Sequence, residues 1–213
     1  MQASHSSDKQ DAAVSRTFTE SARRAQIVAA AIEVIAEVGY GKASFARIAR
    51  HAGLSSTGMI SYHFAGKDDL MREVVAEVLR VAEAYMRPRI EAHSDFPGRL
   101  RTHIESNLAL LVEYPKHLPA LVEVLSNIRG ESAGMSEFVG ATEEMNRVLA
   151  ERLREGQRAG AFREFDAEVM VHAMRGAIDE VVGRAAREPD LDVTACGREL
   201  AEIFDRATRK TAM

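Results

Sequence analysis

The chain has only one cysteine, Cys196, among its 213 residues, and no apolar run approaches the roughly 18–20 residues that a membrane-spanning helix needs. A single cysteine excludes an intrachain disulfide and a thiolate metal site. Residues 1–15 contain no apolar segment of the kind that marks a secretory signal. We therefore expect a cytoplasmic protein that does not enter a membrane.

Sequence patterns that mark enzymes are missing as well. The histidines show neither H-x-x-x-H nor H-E-x-x-H spacing, and there is no Walker-type phosphate loop and no G-x-S-x-G nucleophile elbow. No catalytic group, metal site or cofactor is predicted, and we expect the chain not to be an enzyme.

Helical periodicity dominates what is present. The chain is 46% apolar and 28% charged, which suits a buried core with a soluble surface, and no alternating strand pattern interrupts the helical spacing. We predict an all-α chain in which residues 1–17 are a mobile tail and Pro88 ends the longest early helix. The predicted helices are 19–38, 44–52, a short one capped by Ser55 or Ser56 and ending near His63, 67–87, 97–113, 116–129, 135–159, 166–187 and 193–209.

Charge is distributed unevenly along the chain. Residues 16–67 contain seven basic and three acidic side chains, whereas residues 68–213 contain twenty basic and twenty-seven acidic ones. A basic segment on an acidic remainder suits a polyanion at one end only, although a window this short can also become basic by chance.

The segment from Ser44 to Leu70 has the pattern of a helix-turn-helix. Ser44 is a predicted N-cap, Gly53 allows the positive φ of a sharp turn, and Leu54 is the expected apolar plug. Small hydroxyl residues then follow, with Ile60 and Phe64 spaced as an inward anchor. An ordinary helical hairpin with a polar surface would show a similar pattern, so the pattern alone leaves both readings open.

This segment resembles the DNA-binding domain of the TetR-type repressors. Their signature is I-A-x-x-A-G-V-S, then aromatic-His-Phe, then a Lys that begins the fourth helix; the chain has IARHAGLS at 48–55, YHF at 62–64, and Lys67. GMISYHF, residues 58–64, is similar to the choline-responsive BetI-like branch. The resemblance implies a three-helix DNA-binding domain, residues 18–66, which we call the head. It also implies that a long helix joins the head to a helical ligand-binding and dimerisation bundle, residues 67–213, which we call the body.

The resemblance also assigns positions that contact DNA. The two matching helices bring these residues to the double-stranded operator: Ser44, Arg47, Ser55, Ser56, Thr57, Gly58, Ser61, Tyr62, His63 and Lys67. Tyr62, His63 and Lys67 match positions that hold phosphates. The chain departs from the pattern by one extra residue before Phe64 and by Thr57 where Lys or Arg is frequent, so its operator sequence is not predicted.

For the body, the family implies a homodimer and a cavity for an unidentified small-molecule effector. The predicted dimer residues are Val171, Met174, Ile178, Val182, Leu200, Ile203 and Phe204. The predicted pocket residues are Tyr85, Met86, His103, Asn107, Leu111, Leu125, Phe138, Met145 and Arg175. Both sets have an alternative, because apolar stripes also pack intrachain cores, and Arg175 and Asp179 share a helical face where they could satisfy each other.

The function predicted from these features is a ligand-responsive repressor. Two other classes of function remain: a helical carrier of small molecules without a role on DNA, and a helical scaffold for protein interactions.

Overall fold

The structure is a computed structural model that describes residues 5–128 and 136–210, with side chains at 19–127, 140 and 143–210. The part of the chain that it describes is helical and contains no β-strand, which confirms the all-α prediction. The helices are α1 (His5–Val38), α2 (Phe45–His51), α3 (Gly58–His63), α4 (Lys67–Glu91), α5 (Phe96–Glu113), α6 (His117–Ile128), α7 (Ser136–Arg158), α8 (Ala167–Arg187) and α9 (Val193–Thr208), with a 3₁₀ turn at Tyr40–Lys42. Among them, no helix is long and apolar enough to cross a bilayer.

Two helices run further than the sequence predicts. α1 begins at His5, inside the segment predicted to be a tail, where alanine, lysine and glutamine favour a helix. α4 passes through Pro88 and ends at Glu91, so the prediction that Pro88 ends it is wrong. Ala84 and Pro88 both lie on the exposed side of α4, where water can reach the carbonyl group that the proline leaves unpaired. The division into tail, head and body stays a prediction.

Side-chain caps fix where several helices begin. The Ser44 Oγ accepts a hydrogen bond from the Arg47 N–H at 3.3 Å, as predicted. Asp166 accepts from two N–H groups at the start of α8, at 2.9 and 3.1 Å. Each cap satisfies donors that the first turn of a helix cannot pair internally.

One apolar core joins the head to the body. Ile27, Ala31 and Ile35 of α1 are buried against α2, α3 and α4. The same cluster continues into the body through α6, the end of α5 and the middle of α8. α1 therefore contacts both halves of the molecule, and the helix-turn-helix rests on the body as well as on its own core.

A second core holds the far part of the body together. It contains Leu100 and Ile104 of α5, Leu153 of α7, and Met174 and Phe204 from the last two helices. α5 and α9 pack closely, and a Cβ at Gly197 of α9 would be in ordinary van der Waals contact with Leu108 of α5, at 3.6 Å. This core fixes the relative positions of α5, α7, α8 and α9.

Candidate nucleic-acid interface

The short helix α3 is anchored by two buried side chains and presents a polar edge. Ile60 is fully buried and Phe64 is almost so, which confirms the predicted anchor, and Leu54 is half-buried against the same core. The small residues predicted to face a DNA groove are exposed: Ser55, Ser56, Thr57, Gly58 and Ser61. A helix held from behind with short polar groups in front suits a major groove about 12 Å wide.

The turn before α3 is closed by a Schellman motif. Gly53 has φ of 67°, its N–H donates to the Arg50 carbonyl at 3.2 Å, and the Leu54 N–H donates to the Ala49 carbonyl at 2.8 Å. The Gln26 side chain of α1 donates to the Ala52 carbonyl at 2.8 Å. The predicted positive φ at Gly53 is therefore present, and α1 pairs one of the last carbonyls of α2.

α3 begins later than the sequence predicts. Its N-cap is Thr57, without a side-chain capping bond, and not Ser55 or Ser56. The Thr57 carbonyl instead accepts from the Ile60 and Ser61 N–H groups at 3.0 and 3.1 Å. Because the hydroxyl of Thr57 does not cap the helix, it stays available to an external partner.

Tyr62 is exposed at the end of α3 and is held by α1. Its side chain is 71% exposed, and its hydroxyl donates to a carboxylate oxygen of Glu20 at 3.0 Å. That hydrogen bond raises the pKa of Tyr62 above its usual range, with the charge of Glu20 adding to the effect. For the hydroxyl to donate to a phosphate as predicted, its proton must turn away from Glu20.

Arg24 secures the other side of α3, and the sequence analysis missed it. Its guanidinium donates to the carbonyl of His63, pairs with Glu73 at 2.8 Å and lies 4.5 Å from the centre of the Phe64 ring. The positive group thus meets the carbonyl end of α3, where a helix favours a cation. No local motif marks Arg24, because its partners lie 39 or more residues away.

Lys67 makes an intramolecular contact at the position predicted to hold a phosphate. Its Nζ donates to the Tyr40 carbonyl at 2.8 Å and lies 3.9 Å from the centre of the Tyr40 ring. Burial lowers the pKa of Lys67 below its usual value, against a smaller opposite effect of Asp68. The ammonium is therefore engaged at the junction of head and body, and its phosphate contact stays a prediction.

Two arginines of α2 line a cleft against α1. Arg47, predicted to contact DNA, and Arg50, which the sequence analysis did not single out, border a cavity of about 370 Å³ together with His51. Neither guanidinium has a hydrogen bond or ion pair among the described residues, whereas His51 pairs with Glu33 at 2.5 Å. Two unpaired arginines on α2, one near its start and one in its last turn, leave positive charge available near the helix-turn-helix.

The predicted pocket residues fall into separate groups in the body. Tyr85, Met86, Leu111 and Leu125 pack in or against the core shared with the head. The pKa of His103 is lowered to about 4, mainly because burial disfavours the charged imidazolium. The positive charges of Arg152 and Arg175 add to this effect.

Three other pocket predictions stand apart, and Arg175 has a partner. Asn107 is half-buried, Met145 is exposed, and the side chain of Phe138 lies outside the described residues. The Arg175 Nε lies 3.2 Å from an Asp179 carboxylate oxygen, which favours mutual pairing of these two side chains. The predicted lining of an effector pocket stays a prediction.

Most of the predicted dimer residues are buried within the single chain, and their contact with a second copy stays a prediction. These five are buried in the chain's own core: Val171, Met174, Ile178, Val182 and Phe204. A side chain that is already buried has little surface to offer a second copy, because the apolar face of α8 is used for intrachain packing. Leu200 is half-buried against both cores, and only Ile203, 49% exposed, keeps a surface that a partner could cover.

Residues 27–74, from the middle of α1 into α4, match the family model described as bacterial regulatory proteins, tetR family. The match covers 48 of the 213 residues, and it makes this segment of the chain similar to the tetR family. The matched segment contains α2, α3 and the turn between them, whereas three side chains that support them, those of Glu20, Arg24 and Gln26, precede it.

Several similar proteins are BetI regulators. The HTH-type transcriptional regulator BetI of Stenotrophomonas maltophilia is 37% identical over 89 residues, which is 41% of this chain and 45% of that protein. BetI of Cronobacter sakazakii is 28% identical over 169 residues, 77% of this chain and 79% of that protein. The chain thus spans less than half the length of the first of these relatives.

Two solved structures have the same fold over most of the chain. A transcriptional regulator of Saccharomonospora viridis, in complex with choline, has a TM-score of 0.77 over 90% of this chain and 100% of that chain, at 21% identity. The regulator FadR of Bacillus subtilis, in complex with stearoyl-CoA, has a TM-score of 0.71 over 84% and 96% at 23% identity. At identities of 21% and 23%, this similarity establishes a shared fold and no shared ligand.

Proposed function

We propose that this chain is a ligand-responsive repressor that binds a near-palindromic operator as a homodimer and is released by a small molecule. The observation that carries the proposal is α3, which is anchored by Ile60 and Phe64 and exposes a row of small polar residues. Such a protein works in the cytoplasm of a bacterium, on the nucleoid when it is bound to its operator.

Charge in the head supports the DNA-binding part. Arg47, near the start of α2, and Arg50, in its last turn, are unpaired, and Lys42 also has no described partner. Contacts between such cations and phosphates release counterions, which makes affinity fall steeply with salt. Ser55, Ser56 and Thr57 would then read base edges through hydroxyl and methyl contacts and through water.

A homodimer is supported by the surface that α8 and α9 leave free. Val169 is 65% exposed and Ile203 is 49% exposed, although both are apolar. A two-fold pairing of these helices would make an isologous interface. It would also set two recognition helices at major grooves about 34–36 Å apart, which a near-palindromic operator matches.

Release by an effector is supported by the continuity of α4, which begins beside α3 and runs into the body up to Glu91. A ligand that binds better to a body with α4 displaced would move α3 away from its groove, and it acts only through that difference in affinity. Choline and stearoyl-CoA, which are bound in two structurally similar proteins, are the first probes to test.

A salt-titrated gel shift against the DNA that flanks the gene tests the proposal. We expect wild-type binding to weaken steeply with salt. The Lys67→Ala variant should weaken all sequences about equally, and Thr57→Ala should change the preference among operators. Lys210→Ala removes the same charge from the exposed end of the chain and is the matched control.

The same experiment separates the two other classes of function. Absent or salt-independent binding would overturn the repressor proposal. A carrier of small molecules would respond to choline or stearoyl-CoA in a thermal-shift assay and ignore DNA, and a scaffold would respond to neither.

A further inference from the structure

We infer that Glu123 of α6 is the residue through which the body positions the helix-turn-helix, by holding the backbone of Tyr40. The inference rests on the proposed function, because it says how the body of that repressor sets the angle of its head. It assigns to α6 a positioning role separate from the direct continuity of α4 with α3.

Tyr40 is held from two directions by the body. Its N–H donates to the Glu123 Oε2 at 3.0 Å, and its carbonyl accepts from the Lys67 Nζ at 2.8 Å. The Lys67 ammonium also lies over the Tyr40 ring. Both backbone groups of one residue in the 3₁₀ turn are thus fixed by α6 and by the first residue of α4. We call these contacts the Tyr40 clamp.

The position of the clamp connects it to DNA recognition. The 3₁₀ turn leads into α2 through Ala43 and Ser44, and Ser44 is a predicted DNA contact as well as the N-cap of α2. Lys67 lies four residues after the last residue of α3. A shift of α6 that pulls on Tyr40 therefore reaches both helices of the helix-turn-helix within a few residues.

The carboxylate is oriented and closely fitted. The Asn127 Nδ2, one turn further along α6, donates to the Glu123 carbonyl at 2.8 Å and lies 3.5 Å from its Oε2. On the other side, Gly39 has φ of +80°, and a Cβ there would lie 3.3 Å from the Glu123 Oε2. The positive φ therefore favours a glycine, and a Cβ at this position would push the carboxylate away by a few tenths of an ångström.

An ion pair next to the clamp is a weaker link between the same elements. The Lys116 Nζ, just before α6, lies 3.3 Å from a Glu37 carboxylate oxygen of α1, and both side chains are about half exposed. Exposed pairs of this kind contribute little, whereas a carboxylate that accepts from a half-buried N–H is a stronger, charge-assisted contact. The hydrogen bond from the Tyr40 N–H to Glu123 is therefore the polar contact through which a movement of α6 would shift the head.

Hydrogen exchange of the Tyr40 amide tests the clamp in the full chain. In Glu123→Ala the amide loses its acceptor, and we expect it to exchange about tenfold faster or more. Glu123→Gln keeps an acceptor oxygen and should restore most of the protection. Glu113→Ala, at the exposed end of α5, removes the same charge without a described contact and is the matched control. Exchange in Glu123→Ala equal to that in Glu113→Ala would overturn the inference.

Operator binding tests the positioning role and separates it from general stability. A loosened head discriminates less between half-site spacings, so the ratio of affinities for the native operator and for one lengthened by one base pair should fall severalfold in Glu123→Ala and not in Glu113→Ala. Lys67→Ala removes the other contact of the clamp together with a predicted phosphate contact, so in this variant the spacing ratio should fall and the salt slope should decrease by about 0.9.

The outcomes distinguish this inference from the proposed function. An unchanged spacing ratio in Glu123→Ala, with a faster Tyr40 amide, would overturn the positioning role and leave the repressor proposal intact. A wild-type protein that binds no DNA would overturn the repressor proposal and the positioning role together, while the exchange data would still decide whether the clamp exists.

Discussion

The head and the body treat their charged side chains differently. In the body most arginines are paired with a carboxylate, often one turn away on the same helix, as in Arg80 with Glu77 and Arg184 with Glu188. In the head Lys42, Arg47 and Arg50 have no partner among the described residues. The arginines of the body are thus mostly neutralised by its carboxylates, and the head keeps positive charge for a partner of opposite sign.

The two regions also differ in how they hold their polar groups in place. The head uses contacts between residues far apart in sequence, such as Arg24 with the His63 carbonyl and Tyr62 with Glu20. The body has many ion pairs within one helix and fewer contacts of long range, such as Arg101 with Glu202, and most of its helices pack in two apolar cores. A small domain with little core of its own needs such cross-links, and its stability depends on the body behind it.

The largest effect is expected from Ile60→Ala, which tests whether the head is stable apart from the body. Ile60 is fully buried, so its truncation should cost about 2–5 kcal/mol and abolish operator binding. Because the core of the head continues into α6 and α8, we expect one shifted transition in urea. Helical circular dichroism and tyrosine fluorescence would follow it, since the chain has four tyrosines and no tryptophan.

Met59→Ala is the matched control for Ile60→Ala. Met59 is the neighbouring residue of α3 and is 39% exposed, so its truncation should change stability by a few tenths of a kcal/mol. Two separate transitions in Ile60→Ala, with the body unfolding at the wild-type urea concentration, would show that the head and body are independent units.

The next effect concerns acid stability and belongs to the body. The pKa of His103 is about 4 in the folded chain, against an ordinary value of 6.5. Between these values the unfolded chain binds a proton that the folded chain does not. The stability associated with His103 is therefore complete above pH 6.5 and is lost as the pH falls toward 4. From pH 7 to pH 5 the loss is about 2 kcal/mol.

His103→Gln should remove this loss. Urea unfolding at pH 7 and pH 5 would show a smaller fall in stability for the variant than for the wild type. His172→Gln, at an exposed histidine of α8, should fall as the wild type does. An equal fall in all three proteins would mean that burial and the nearby arginines do not lower the pKa of His103.

Much of the head could be predicted from a short stretch of sequence, because its function depends on local structure. Gly53, Ile60 and Phe64 act within one turn and two short helices, so their spacing shows their roles. Arg24 and Glu123 could not be found this way, because their partners become neighbours only when α1 and α6 pack on the head. The residues that could be predicted differ from Arg24 and Glu123 mainly in how far along the chain their partners lie, and less in their chemistry.

In the body the same periodicity had two possible meanings. The apolar stripe of α8 predicts a buried face, and the structure shows burial against the two cores of the single chain, while a contact with a second copy stays a prediction. Met174 and Ile178 show the limit: a helical pattern reveals which side is covered and says nothing of what covers it. Likewise Pro88, placed near the exposed end of α4, did not end the helix because water can take the place of the lost bond.

The smallest effects come from the helix caps, and they compare the head and body directly. Ser44→Ala removes one acceptor at α2, and Asp166→Ala removes an acceptor of two N–H groups at α8. Each should cost about 1 kcal/mol, with Asp166→Ala at least as costly because a carboxylate also favours the helix N-terminus. Only Ser44 lies at a predicted DNA contact, so only Ser44→Ala should weaken operator binding in a gel shift at constant salt. If Asp166→Ala weakened operator binding equally, the loss would follow from lower stability alone. The Ser44 hydroxyl would then have no role in DNA binding beyond capping α2.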